Sequence, residues 1–201
     1  MNIIYKGIDA MKQILSAKMA LVALVLCILS GSAAMAAGPA ADYYYDGGKQ
    51  RPLLLDDTLV AVFGATPAAV RSALPGAQAT RMKGGATIYR AQAGSYKTML
   101  GVAPGAAVSP VFHEGASTAG RLMALPGGVL VNFKADWTAQ QVNDWSAAKG
   151  LVIDKKLSIG QNWYLIKSPA GQASLDLANQ LQQSGEVESA SPNWWKEVST
   201  R

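Results

Sequence analysis

Two stretches of this chain repeat the same order of apolar runs and breaks, and that duplication limits the architectures open to it. The later stretch is the clearer one. Residues 129–133 (VLVNF) form a β-branched, apolar run. Thr138 suits the N-cap of a helix reaching Lys149, with Val142 and Trp145 at i and i+3 and Gly150 as its stop. Residues 151–157 and 163–166 read as two strands around a turn at residues 158–162. After Pro169 and Gly171 a second helix is expected over residues 172–184, with Leu175, Ala178 and Leu181 on one face and Gly185 beyond its end. Residues 187–190 form a last strand that Pro192 cuts off.

The earlier stretch follows the same order less cleanly. Residues 59–63 read as a strand, 67–74 as a short helix, and 79–82 and 87–91 as strands about Gly84-Gly85. Residues 95–100 read as a short helix and 108–112 as a closing strand. The expected fold class is therefore α+β: two tandem ferredoxin-like (βαββαβ) units, at residues 53–114 and 121–195, the first degenerate, with residues 115–120 as linker. Residues 37–52, where Tyr43-Tyr44-Tyr45 precede Gly47-Gly48, read as a flexible or loosely docked N-terminal arm. Residues 196–201 read as a C-terminal tail.

Residues 1–36 carry a leader pattern. After Met11, the reading start, come Lys12 and Lys18, an apolar run over residues 19–29, and Ala34-Met35-Ala36 as a cleavage site. The run is shorter than the ~20 residues of a membrane span. Cys27, the one cysteine, follows Leu26, where a lipid-attachment signal needs a small residue. Periplasmic or secreted localisation is expected, with cleavage near Ala36. Of the 18 basic and 13 acidic side chains, Lys6, Lys12, Lys18 and Asp9 lie in the leader. The remaining 15 and 12 are close to balance, with no basic stripe to track phosphates, so nucleic acid is not an expected partner.

No catalytic constellation assembles from the residue types present. His113 is the one histidine, no serine stands in a G-x-S-x-G context, and no ligand cluster has metal spacing. The chain reads as non-catalytic, with no cofactor and no metal, and His113 beside Glu114 reads as a solvated loop residue. Trp145 and Trp163 fall on faces expected to be buried. The adjacent pair Trp194-Trp195 must point to opposite sides of an extended segment, so at least one is expected to be exposed or docked elsewhere.

The stretches GVLVNFK (128–134), QQVNDW (140–145), GLVIDKKL (150–157), NWYLI (162–166), SLDLANQL (174–181) and GEVESASPN (185–193) together resemble the N-terminal propeptide region of bacterial subtilisin-like serine proteases. The closing pattern, Leu-Ala-Asn-x-Leu followed by a Val-Glu strand and Pro-Asn, is its most specific part. Upstream, residues 43–48, Leu55-Asp56-Asp57 and Pro110-Val111-Phe112 look like the segment preceding this module.

The chain runs only six residues past Trp195, so the resemblance implies a stand-alone relative, similar to separately encoded chaperone-inhibitors of secreted subtilisin-like and kexin-like proteases. In that family the module's sheet covers two helices of the enzyme, and its C-terminus lies product-like in the cleft. On that basis Trp194, Trp195, Val198, Ser199, Thr200 and Arg201 are the expected protease-binding residues. Arg201 would fill the primary specificity pocket, and Val198 an apolar one. The competing reading is a periplasmic or secreted protein-binding adaptor without a protease partner.

Overall fold

The computed structural model describes residues 42–65, 67–99 and 106–198. The leader residues lie outside them. The chain is α+β, and its strands pair antiparallel in two sheets.

The first sheet contains β1 (Tyr43–Asp46), β2 (Lys49–Phe63), β3 (Gln78–Lys83), β4 (Ala86–Arg90), β5 (Ala107–Glu114) and β6 (Leu122–Ala124), with helices α1 (Pro67–Ala73) and α2 (Ser95–Met99) between its strands. The second contains β7 (Val129–Asn132), β8 (Ile153–Lys156), β9 (Trp163–Ile166) and β10 (Ser189–Pro192), with α3 (Ala139–Ala148) and α4 (Gln172–Ser184). The chain then returns to the first sheet as β11 (Trp195–Lys196). The strand orders are β11-β6-β5-β2-β4-β3, with β1 on β2, and β10-β7-β9-β8.

Local signals account for the second sheet and its helices. Thr138 closes a capping box with Gln141, and α4 ends on Gly185 in the left-handed region at φ 67°. Val129, Val131, Tyr164, Ile166 and Ala190 alternate onto the helix side. There they form a core with Phe133, Val142, Ala178, Leu181 and Val187. Trp163 is out of step with Tyr164, so it lies on the sheet's other face and outside that core. The expectation that helix-on-sheet packing buries it therefore fails on strand parity.

Three segments differ from the expected organisation. Residues 43–52 are not a loose arm: β1 and the start of β2 form a hairpin through Gly47-Gly48 (φ 56° and 76°), the two-positive-φ turn that matches strand twist. Asn179 on α4 fastens that hairpin through its Nδ2, which donates to the Tyr43 carbonyl at 2.9 Å. Residues 115–120 are not an interdomain linker but the turn of the β5–β6 hairpin, in which Val111, Phe112 and His113 pair with Ala124, Met123 and Leu122. The chain therefore crosses from one sheet to the other after β6 rather than before it.

Helix α4 belongs to two cores. Ala178 and Leu181 face the second sheet, whereas Leu175 packs with Tyr44, Leu53, Phe112, Met123 and Leu125 of the first half. Long β2 is bulged between Asp56 and Val60, and such a break bends a strand and sharpens its twist. The resulting curl is visible at Trp195: its ring sits close enough to Gly84, in the β3–β4 turn, that a Cβ there would lie 3.1 Å from Nε1. In a flat sheet β11 and β4 would be about 19 Å apart, beyond the reach of one side chain. Leu59, Ala61, Ile88, Val111, Leu122 and Ala124 are buried inside this curl.

Candidate functional site: the second sheet's outer face and the C-terminal segment

Strand alternation leaves Leu130, Asn132, Trp163, Leu165, Ser189 and Ser191 on the face of the second sheet opposite its helix-side core. All are half-buried, and the two serines stand on the edge strand β10, Ser189 paired with Asn132 and Ser191 with Leu130, so the surface is low along that side. Leu165 also lines a hollow of about 480 Å³ with Gly127, Gly128, Asp154, Lys167, Ser168 and Pro169. The face combines two leucines and an indole with short polar side chains, a make-up suited to close contact with another protein surface.

The chain leaves this sheet through Asn193. Its backbone amide donates to the Gly128 carbonyl at 3.1 Å and its Nδ2 to the Gly127 carbonyl at 3.0 Å, which fixes the exit direction. Trp194 and Trp195 then point to opposite sides of the first sheet, as adjacent strand residues must. Trp194 meets Tyr44 edge-on, with centroids 5.2 Å apart, and Phe112 at 6.1 Å. Trp195 packs inside the curl. Both indoles are thus partly buried in the chain's own packing, where docking elsewhere was one of the two sequence expectations. Val198 is 64% exposed. Ser199, Thr200 and Arg201 lie outside the described residues.

Glu114 ties the region together. One carboxylate oxygen accepts from Arg121 Nη2 at 2.6 Å and Nε at 3.0 Å. The other accepts from Tyr44 Oη at 3.1 Å and from Lys196 Nζ at 3.3 Å. The Arg121 hydrogen bond is the main reason its carboxyl sits below the usual range; burial opposes this, and Lys196 and Tyr44 add to it. Burial pushes the Tyr44 hydroxyl up to about 12, helped by its hydrogen bond to Glu114 and the charge there. Lys196 Nζ also lies 5.4 Å from the Tyr44 ring centroid.

His113 differs from its sequence reading. It stands in β5 rather than in a loop and is only 7% exposed. Nδ1 lies 3.1 Å from the Gly120 carbonyl and Nε2 3.2 Å from Asp56 Oδ2. Both ring nitrogens face acceptors, so the imidazole braces the β5–β6 turn against the β2 bulge. Burial disfavours the charged form of Asp56, but hydrogen bonds from the Thr58 hydroxyl, His113 and the Thr58 amide outweigh it and hold this carboxyl low. The strand read over residues 108–112 stopped one residue short of it, and the available signal was the i, i+2 spacing of Val111 and His113, which puts both on one face of a continued strand. Among the described residues no group of three or more His, Cys, Asp or Glu is placed to hold a metal ion, and no helix is long and apolar enough to cross a membrane.

No protein-family model, no curated protein and no solved structure matches the chain.

Proposed function

We propose that this chain is a non-catalytic exported protein that binds a subtilisin-like serine protease, kexin-like members included, as inhibitor, folding chaperone or both. Two tandem ferredoxin-like units are the fold reading that goes with it. It is supported by the β-α-β-β-α-β element order of each half and by the matching strand orders β5-β2-β4-β3 and β10-β7-β9-β8. The observation that carries the functional reading is the second sheet's outer face. It lies opposite the helix side, is lined by Leu130, Trp163 and Leu165 on the two central strands, and is bordered by Ser189 and Ser191 on the β10 edge. In the family that the chain resembles, this face covers two enzyme helices.

The same reading lays the tail from Lys196 onward product-like in the active-site cleft, where main-chain hydrogen bonds to an exposed edge supply affinity and side chains supply specificity. Trp194 and Trp195 belong to the same binding set, with Trp194 packed on Tyr44 and Phe112 and Trp195 held in the curl before a partner arrives. Titration of the chain against bacterial subtilisin, followed with a chromogenic peptide, is the test. Stoichiometric loss of activity is expected, weakened at least tenfold by Leu165→Arg, which places a charge in the centre of the face. Full protease activity at excess chain would sink the reading.

One observation favours the adaptor reading instead. Residues 194–197 are already engaged with the first sheet, through the Trp194 contacts, the β11–β6 pairing and the Glu197 amide. On that reading the outer face docks a protein other than a protease, and Leu165→Arg has no effect in the titration.

A further inference from the structure

We propose that the first sheet is a strap that sequesters the C-terminal segment, so that a partner must peel β11 from β6 to engage residues 195–197. The proposal rests on the reading above, because the segment held is continuous with the one assigned to the cleft.

The retention is chemically specific. Trp195 and Lys196 pair with Ala124 and Met123, and the Glu197 amide donates to the Leu122 carbonyl at 2.9 Å. Lys196 is latched to Glu114, and the Trp195 ring lies in the curl against Gly84. Main-chain donors and acceptors committed to β6 cannot at the same time pair with the edge of a cleft. Binding that includes these residues therefore competes with the strap.

The strap is also built to open. β11 is two residues long at the edge of the sheet, and its partner β6 has only three. Its ion pair is about one-third exposed on both sides, at 33% and 31%, where water screens the attraction. Short, edge-bound elements are those that open below the global unfolding free energy. A partner that needs the opened form binds with an apparent affinity reduced by the fraction closed.

Two measurements on the purified chain test this. Without any partner, amide exchange at residues 195–197 is expected to accelerate at least fivefold in Lys196→Ala, while β7 and β9 amides keep their rates. Unchanged exchange at β11 overturns the strap. With subtilisin, a Met123→Cys/Lys196→Cys pair in a Cys27→Ser background is expected to inhibit at least tenfold less well when oxidised than when reduced. Equal inhibition in the two redox states overturns competition between strap and partner. A chain that inhibits in neither state but shows the accelerated exchange retains the strap and sinks the protease reading, so the two failures are separable.

Discussion

Gly84 lies so close to the Trp195 indole that a Cβ would stand 3.1 Å from Nε1, a contact joining the β3–β4 turn to the last strand of the same sheet. Gly84 also has φ 60°, so two separate reasons exclude a side chain there. Gly85, at φ 79°, has only the conformational one, since nothing lies within 4 Å of a Cβ built on it.

Gly85→Ala is therefore expected to cost roughly 1–2 kcal/mol, the penalty of a left-handed alanine. Gly84→Ala should cost more and should also alter tryptophan fluorescence, because the indole must shift. Equal melting temperatures for the two variants, measured by thermal denaturation, would show that the Trp195 contact carries no weight.

Leu175→Ala is expected to destabilise by about 2–5 kcal/mol, as for other buried leucines. Leu175 is the point at which α4 enters the first-half core, while Ala178 and Leu181 serve the second. The parent should thus unfold in one calorimetric transition, and the variant should broaden or split it. A sharp single transition at the parent temperature would contradict the sharing of α4.

Stability should fall in acid, and Glu114 gives one reason. Its folded carboxyl is held below its unfolded value, so the stabilisation is present above the ordinary carboxylate pKa, about 4.3. It is lost as pH falls through the lower, folded value. Glu114→Gln should flatten that part of the acid limb. Denaturant midpoints collected between pH 2 and 7 check this, and parallel curves would refute it.

Asp42 works in the opposite sense. Burial and then the nearby Asp176 charge raise its carboxyl above the ordinary value, so it weakens the fold as pH rises through that raised value. Asp176→Asn removes the repulsion and is expected to stabilise the β1–β2 hairpin modestly at neutral pH, read as slower amide exchange at residues 43–46. Faster exchange would point to a structural role for Asp176.

His113→Ala is expected to cost about 1–3 kcal/mol, because it leaves the part-buried Asp56 carboxylate and the Gly120 carbonyl without this partner. The loss should concentrate in the β5–β6 turn, seen as faster exchange at Glu114 and Gly120, whose amides donate to Arg121 and Ser117 carbonyls. A loss spread evenly through both sheets would argue against the brace.

What the sequence disclosed follows the range of the forces involved. The Thr138 cap, α4 with its Gly185 stop, and β9 were legible to within a residue because each depends on neighbours along the chain. The hairpin at residues 43–52 was also locally encoded, by tyrosines ahead of Gly47-Gly48, but its polar second strand lacks the alternation that marks a half-buried face. β11 was beyond local reading altogether: two residues have no period, and their strand state exists only through β6. Of the candidate surface, the span of β9 was readable, but Trp163 was assigned to its buried face, and the last strand was read over residues 187–190 where it runs Ser189–Pro192. The engagement of Trp194 and Trp195 was not readable, since both contacts are made by residues far away in sequence.

Because the first sheet takes its edge strand from residues 195–196, its assembly cannot be finished in the order of synthesis. Lys196 meets Glu114 across 82 positions of chain. Everything between must be made, delivered and largely collapsed before that edge is covered, a long loop closure of the kind that slows folding. Until then the β6 edge is an unprotected template for foreign strands. A chaperone that shields nascent edges would be of most use to this protein in that late interval.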